Sequence, residues 1–117
     1  MAAAVLIALA GTPGAVADHR AGIPGDVAAA REYAACMDLA RSDAKAAHET
    51  AVAWRKRGGG DAASHCVAVA LIGLGDYIQA AEKMEALARG MTHATAASRG
   101  ELLGQAGNVW TIAGKPD

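Results

Sequence analysis

The stretch LIGLGDYIQAAEKMEALA, residues 71–88, predicts the end of one helix, a tight corner and the start of a second helix. Gly75-Asp76 is the expected corner, since glycine accepts the left-handed backbone conformation that ends a helix. Similar corners occur at Ser42-Asp43 and at Gly114-Lys115. The interval from Ser42 to Gly75 is 33 residues, and that from Gly75 to Gly114 is 39 residues. Such spacing indicates short helices joined by tight turns.

The composition also favours helix. The chain of 117 residues is long enough for one domain, and 53% of its residues are hydrophobic although only 3% are aromatic. Alanine, the best helix former, is abundant, whereas the β-branched and aromatic residues that favour strands are sparse. Because alanine is small, the helices must approach closely to bury enough apolar surface. We therefore predict a single, closely packed all-α domain.

Caps and periodicity place five helices. Asp26 is expected to be the N-cap of the first helix, and Asp61 is expected to cap the third. The basic run at 55–57, followed by three glycines, is typical of a helix C-terminus, where positive charge stabilises the helix dipole. The predicted spans are 26–40, 43–57, 61–74, 77–89 and 96–113.

The first 17 residues have the order of a secretory signal. An apolar run at 2–10 is followed by glycine and proline, and then by Ala15-Val16-Ala17, which has the small-x-small pattern of a cleavage site. The run is too short to span a bilayer, so we expect no stable membrane span. No basic residue precedes the run, and the alternative is an Ala-rich leader on a cytoplasmic protein. We expect export, with a periplasmic or secreted mature chain.

Charge and motifs argue against several functions. The formal net charge is −1, whereas nucleic-acid binders usually carry a strong basic excess. The four histidines and two cysteines show no metal-ligand spacing, and no phosphate-binding loop, dinucleotide loop or nucleophile elbow is present. The sequence therefore gives no support for catalysis, a metal, a cofactor or a nucleic-acid partner.

A helix-turn-helix unit of about 34 residues is typical of tetratricopeptide repeats, and the second unit of this chain resembles that family most closely. Gly75-Asp76-Tyr77 occupies the position of the turn between helices, while Ala80 and Met84 match the small and large packing positions of the second helix. The first-helix packing positions match at Val67, Ala68 and Leu71. Leu103-x-x-Ala106-Gly107-x-x-Trp110 is similar to the first-helix signature, and Ala47-x-x-x-Ala51-x-x-Trp54 fits the first unit, where Asp38 departs from the pattern.

The resemblance implies helical hairpins stacked as a short right-handed α-solenoid, with the last repeat incomplete. The implied organisation is a signal peptide at 1–17, a linker at 18–25 and a repeat domain at 26–117, with units of about 27–60, 61–94 and 95–117. In this family ligands usually lie on the concave face lined by the first helix of each unit. By repeat position, the residues nominated for that face are Glu32, Cys36, His65, Val69, Ile72, Glu101, Asn108 and Thr111.

The resemblance also implies that Cys36 and Cys66 lie on neighbouring first helices. Export would place them in an oxidising compartment, where we expect a disulfide, the alternative being two buried free thiols. The last predicted helix carries Leu102, Leu103 and Ile112 with no second helix after it. We expect either further repeats in a longer parent chain or self-association through this helix.

The expected function is that of a non-catalytic scaffold that binds a protein or peptide on the concave face, and the Ala/Gly/Arg-rich usage suggests a bacterial source. The nominated residues are mixed and weakly acidic, which suits a peptide of apolar and basic character. The alternative is a structural assembly or capping module of a larger repeat protein that has no separate ligand. An enzymatic role would need a catalytic domain beyond residue 117.

Overall fold

The computed structural model describes residues 24–115, with side chains from residue 26 onward. This part of the chain contains five helices and no strand, so the predicted all-α class is confirmed. The signal peptide predicted at 1–17 lies outside the described residues, as do linker residues 18–23. The helices are α1 (Pro24–Ser42), α2 (Ala44–Lys56), α3 (Gly60–Gly73), α4 (Tyr77–Gly90) and α5 (Ala96–Ile112).

Short polar side chains begin three of these helices. The carboxylate of Asp43 accepts a hydrogen bond from the backbone N–H of Ala46 at 3.1 Å, and Asp76 accepts one from Gln79 at 3.3 Å. At the start of α5 the hydroxyl of Thr95 accepts from the N–H of Ser98 at 3.0 Å. Each cap satisfies an N–H that has no partner within the first turn.

Two predicted caps are wrong. Helix α1 begins at Pro24, because proline has a helical φ and lacks the N–H that the first turn cannot satisfy. Helix α3 has Gly59 as its N-cap, without a side-chain hydrogen bond. Asp26 and Asp61 instead lie inside the first turns of these helices. A carboxylate there still favours the helix through its dipole, which is why the sequence did not distinguish the two placements.

The corner after α3 has the hydrogen bonds of a Schellman motif. Gly75 has a φ of +82°, and its N–H donates to the carbonyl of Ile72 at 2.9 Å. The N–H of Asp76 donates to the carbonyl of Leu71, also at 2.9 Å. The left-handed glycine lets both N–H groups turn back onto the helix end. The predicted corner at Gly75-Asp76 is therefore confirmed, and it sets the direction in which α4 leaves α3.

Each helix packs against the next, and α1 also packs against α3. Alanine provides much of the shared core, and Met84 on α4, which is 1% exposed, fills space between the alanines. Close approach of helices at small residues, with larger side chains filling the gaps, explains how a chain so poor in aromatic residues forms a core. The buried residues of the main cluster are Cys36, Ala51, Trp54, Ala63, Cys66, Val67, Ala68, Leu71, Ala80, Ala81, Met84, Ala88, Leu102, Ala106 and Val109.

Some large apolar side chains face solvent. Leu74, Ile78 and Leu103 are 48%, 43% and 46% exposed. Leu74 and Ile78 flank the corner, where two helix ends leave little surface to cover them. The expectation that Leu103 packs like the first residue of the family signature is wrong, since the buried residue of α5 at this level is Leu102. No helix within residues 24–115 is long and apolar enough to cross a bilayer.

Gly73, the last residue of α3, lies against the start of α2. A Cβ placed on Gly73 would lie 2.7 Å from the Cβ of Ala44, closer than side chains tolerate. Gly73→Ala is expected to lower the free energy of unfolding by about 1–3 kcal/mol, because one helix must shift to relieve the clash. Gly90→Ala is a matched control, since Gly90 also ends a helix and has open space around it. Urea unfolding measures this difference in stability. Equal urea midpoints for Gly73→Ala and Gly90→Ala would contradict the prediction.

Candidate functional site

An open groove lies where α1, α3, α5 and the end of α4 meet. Its volume is about 230 Å³. One side is apolar, formed in part by the half-buried Leu87 and Met91, and the other sides are polar. The residues that line the groove are Tyr33, Asp61, Ala62, His65, Leu87, Met91, Ser98, Glu101, Leu102 and Gln105.

A chain of hydrogen bonds crosses one wall of this groove. The hydroxyl of Tyr33 on α1 donates to Nδ1 of His65 on α3 at 2.7 Å. With that acceptor occupied, the hydrogen of the neutral imidazole lies on Nε2, which donates to Oε1 of Gln105 on α5 at 3.0 Å. The Tyr33 and His65 rings are also stacked, with centroids 5.9 Å apart. Three helices far apart in sequence are thereby joined at one surface.

Burial changes the pKa of Tyr33, the first donor in this series of hydrogen bonds. Desolvation raises the pKa of the Tyr33 phenol above its usual value of 10.0, because the charged phenolate is less well solvated there than in water. The hydroxyl therefore keeps its proton throughout the neutral pH range and remains a donor to His65.

A disulfide lies one helical turn from the hydrogen-bonded pair. Cys36 on α1 and Cys66 on α3 are bonded, with a Cα–Cα distance of 6.3 Å, and both side chains are buried. Cys36 is three residues beyond Tyr33 on its helix, and Cys66 directly follows His65. The crosslink therefore holds α1 and α3 at the separation that the Tyr33–His65 hydrogen bond requires.

The segment between α4 and α5 is held by Arg99. Its guanidinium donates to the backbone carbonyl of Ala94 at 2.5 Å and to that of Met91 at 3.3 Å. These contacts close the five-residue connection at 91–95 and keep Met91 at the edge of the groove. Trp110 of α5 donates to the carboxylate of Glu85 on α4 and joins the same two helices further along.

The nominated residues fall into three groups. His65 and Glu101 line the groove. Val69 and Ile72 are half-buried and pack against the core, and Cys36 is part of the disulfide. The remaining three lie elsewhere: Glu32 pairs with Arg57 at the end of α2 at 2.9 Å, and Asn108 and Thr111 are exposed on α5 outside the groove lining.

Sequence reasoning missed most of the groove, including both hydrogen-bond partners of His65. A signal for them was present in the spacing. Tyr33 and Gln105 are 32 and 40 residues from His65, close to the 33- and 39-residue intervals between the corners. The spacing between corners could therefore have pointed to Tyr33 and Gln105 as neighbours of His65, although it could not show their contacts.

The groove presents both apolar and polar groups. Within residues 24–115 there is no group of three or more His, Cys, Asp or Glu side chains placed to hold a metal ion. His65 is engaged at both ring nitrogens by Tyr33 and Gln105. What the groove presents is an apolar floor, two exposed carboxylates at Asp61 and Glu101, and the hydroxyl of Ser98.

Comparison of the chain with protein-family models, with curated proteins and with solved structures found no match.

Proposed function

We propose that this protein is a non-catalytic interaction scaffold of the tetratricopeptide type that binds a peptide or protein segment on the face formed by α1, α3 and α5. The observation that carries this proposal is the groove at which these three helices meet, joined by the Tyr33–His65–Gln105 hydrogen bonds. A partner seated there would contact every predicted repeat unit at once.

The dimensions of the groove favour one anchoring side chain over a whole small molecule. Ligand pockets for drug-sized molecules have volumes of roughly 300–1,000 Å³, whereas this groove has about 230 Å³. A cavity of about 150 Å³ already accommodates benzene. One large side chain of a partner fills such a space, while the rest of the segment lies along the exposed helix surfaces.

The contact between α1 and α3 supports the repeat interpretation. In a solenoid of helical hairpins each first helix packs beside the next first helix, and α1 and α3 do so here through the disulfide and the Tyr33–His65 bond. We propose that the helices form a short right-handed α-solenoid with units at about 27–60, 61–94 and 95–117. The disulfide also supports export to a periplasmic or extracellular compartment, since cytosolic thiols are kept reduced.

Selection from a random peptide display library against the full chain tests the proposal. We expect enriched peptides whose binding falls at least about tenfold in Ser98→Trp, because an indole there fills the groove. Ser98 is exposed at the groove edge, so the change leaves the core intact. Thr50→Trp places the same side chain on the exposed surface of α2, away from the groove, and should bind normally. Failure to select any peptide sensitive to Ser98→Trp would overturn the proposal.

A second candidate function is that of an assembly or capping module within a larger repeat protein. It is favoured by two exposed apolar side chains on α5, Leu103 at 46% and Ile112 at 60%, which would be covered by a following helix or by a second copy. The same selection separates the two functions, because a module of this kind should yield no peptide whose binding depends on the groove.

A further inference from the structure

We propose that the groove is a subsite for an arginine side chain of the partner segment; this inference rests on the proposed function. The charged residues that line the groove, Asp61 and Glu101, are both acidic. Asp61 and Glu101 contribute two exposed carboxylates, and no lysine or arginine is among the described residues that line the groove. A cationic side chain is the occupant whose charge complements such a lining.

Neither of these two carboxylates has a cationic partner among the described residues. Glu32, Asp38 and Glu85 each pair with an arginine of their own chain. Asp61 and Glu101 make no ion pair with any described residue. The nearest arginine in sequence to Glu101, Arg99, directs its guanidinium to the carbonyls of Ala94 and Met91. Both carboxylates therefore remain without an ion-pair partner within residues 24–115.

The apolar floor suits the stem of the same side chain. Arginine buries its three methylene groups on apolar surface while its guanidinium remains at the polar rim. Leu87, Met91 and Leu102 provide that surface between the helices. An acidic residue of a partner would meet two like charges, and a purely aliphatic one would leave both carboxylates without a partner.

Tyr33 favours arginine over lysine. Its aromatic ring is half-buried in the groove wall and fixed by the hydrogen bond to His65. A planar guanidinium can stack on such a ring and still offer several N–H donors to carboxylates, whereas an ammonium is a compact point charge. The carbonyl oxygen of Gln105 already accepts from His65, so the carboxylates are the principal acceptors for the ligand.

The test uses N-acetylarginine amide as the probe in an NMR titration of the full, oxidised chain. We expect the backbone amide signals of groove residues such as His65 and Leu102 to shift with added probe. The neutral isostere N-acetylcitrulline amide has the same shape without the charge. It is expected to bind at least about fivefold more weakly, the factor that corresponds to about 1 kcal/mol for exposed charge pairs.

Variants assign the effect to the two carboxylates. Asp61→Asn and Glu101→Gln are each expected to weaken binding of the arginine probe by about two- to fivefold. Glu49→Gln removes the same charge from the exposed surface of α2 and should leave binding unchanged. The amide spectrum of each variant also reports whether its fold is preserved.

Three results would overturn the inference: equal binding of the arginine and citrulline probes, no shift in the groove, or an equal loss in Glu49→Gln and Glu101→Gln. Peptides from the display selection separate its failure from failure of the proposed function. Groove-dependent peptides that lack arginine would overturn this inference and leave the scaffold function standing. The absence of any groove-dependent peptide would overturn the scaffold function itself.

Discussion

Removal of the Cys36–Cys66 disulfide is expected to lower the free energy of unfolding by about 3–4 kcal/mol. The two cysteines are 30 residues apart, and a crosslink over that distance restricts the unfolded chain by this amount in the chain-entropy account. Small domains are stable by only about 5–15 kcal/mol, so the loss is a large share of the total. Urea unfolding of the Cys36→Ala/Cys66→Ala double variant, followed by circular dichroism, measures the change.

A reductant provides the control for this experiment. Dithiothreitol should shift the urea midpoint of the natural sequence toward that of the double variant and should leave the double variant unchanged. Alanine is chosen because both positions are buried and a serine hydroxyl there would lack water. Coincident unfolding curves for the oxidised chain and the double variant would show that the bond contributes nothing to stability.

Replacement of Trp54 by alanine is expected to cost about 3–5 kcal/mol, the usual range for truncating a buried aromatic side chain. Trp54 lies in the last turn of α2 and is 4% exposed. Its ring lies against Gly59 at the start of α3, where an added Cβ would be 2.8 Å from the ring. The alanine variant would leave a cavity between α2 and α3, because the two packed helices cannot move together enough to fill it.

Thr50→Ala is the matched variant for Trp54→Ala, because Thr50 is on the same helix and is exposed. Its unfolding free energy should change by no more than about 0.5 kcal/mol. Circular dichroism at 222 nm is preferred to fluorescence as the probe, since Trp54→Ala removes one of the two tryptophans. A loss of unfolding free energy below about 1 kcal/mol for Trp54→Ala would contradict the prediction that this side chain contributes strongly to the stability of the core.

Much of the helix pattern could be predicted because its signals are local. The corners at Ser42-Asp43 and Gly75-Asp76 lie where expected, and α4 and α5 begin at the expected residues, Tyr77 and Ala96. A cap, a left-handed glycine and a run of strong helix formers act over a few residues, so the sequence contains nearly all the information that decides them. The starts of α1 and α3 were missed because a carboxylate is favourable both at the N-cap and within the first turn.

The candidate site was predicted only in part. His65 and Glu101 were found because repeat position placed them on the first helices of their units. Tyr33 and Gln105 were not, since choosing the partner of His65 requires the rotation of each helix about its axis and the distance between axes. Glu32 was nominated for the same face, but the end of α2 brings Arg57 beside it.

What the sequence by itself determined is the all-α class, the corners and most helix boundaries, because propensity, capping and glycine geometry are properties of neighbouring residues. Only the tertiary structure decided which side chains share the groove, that Leu102 and not Leu103 is buried, and how Tyr33, His65 and Gln105 connect three helices. In alanine-rich helices the sequence does not decide these contacts, because a small residue fits many helix crossings. The packing of a few larger side chains and the disulfide then select one arrangement.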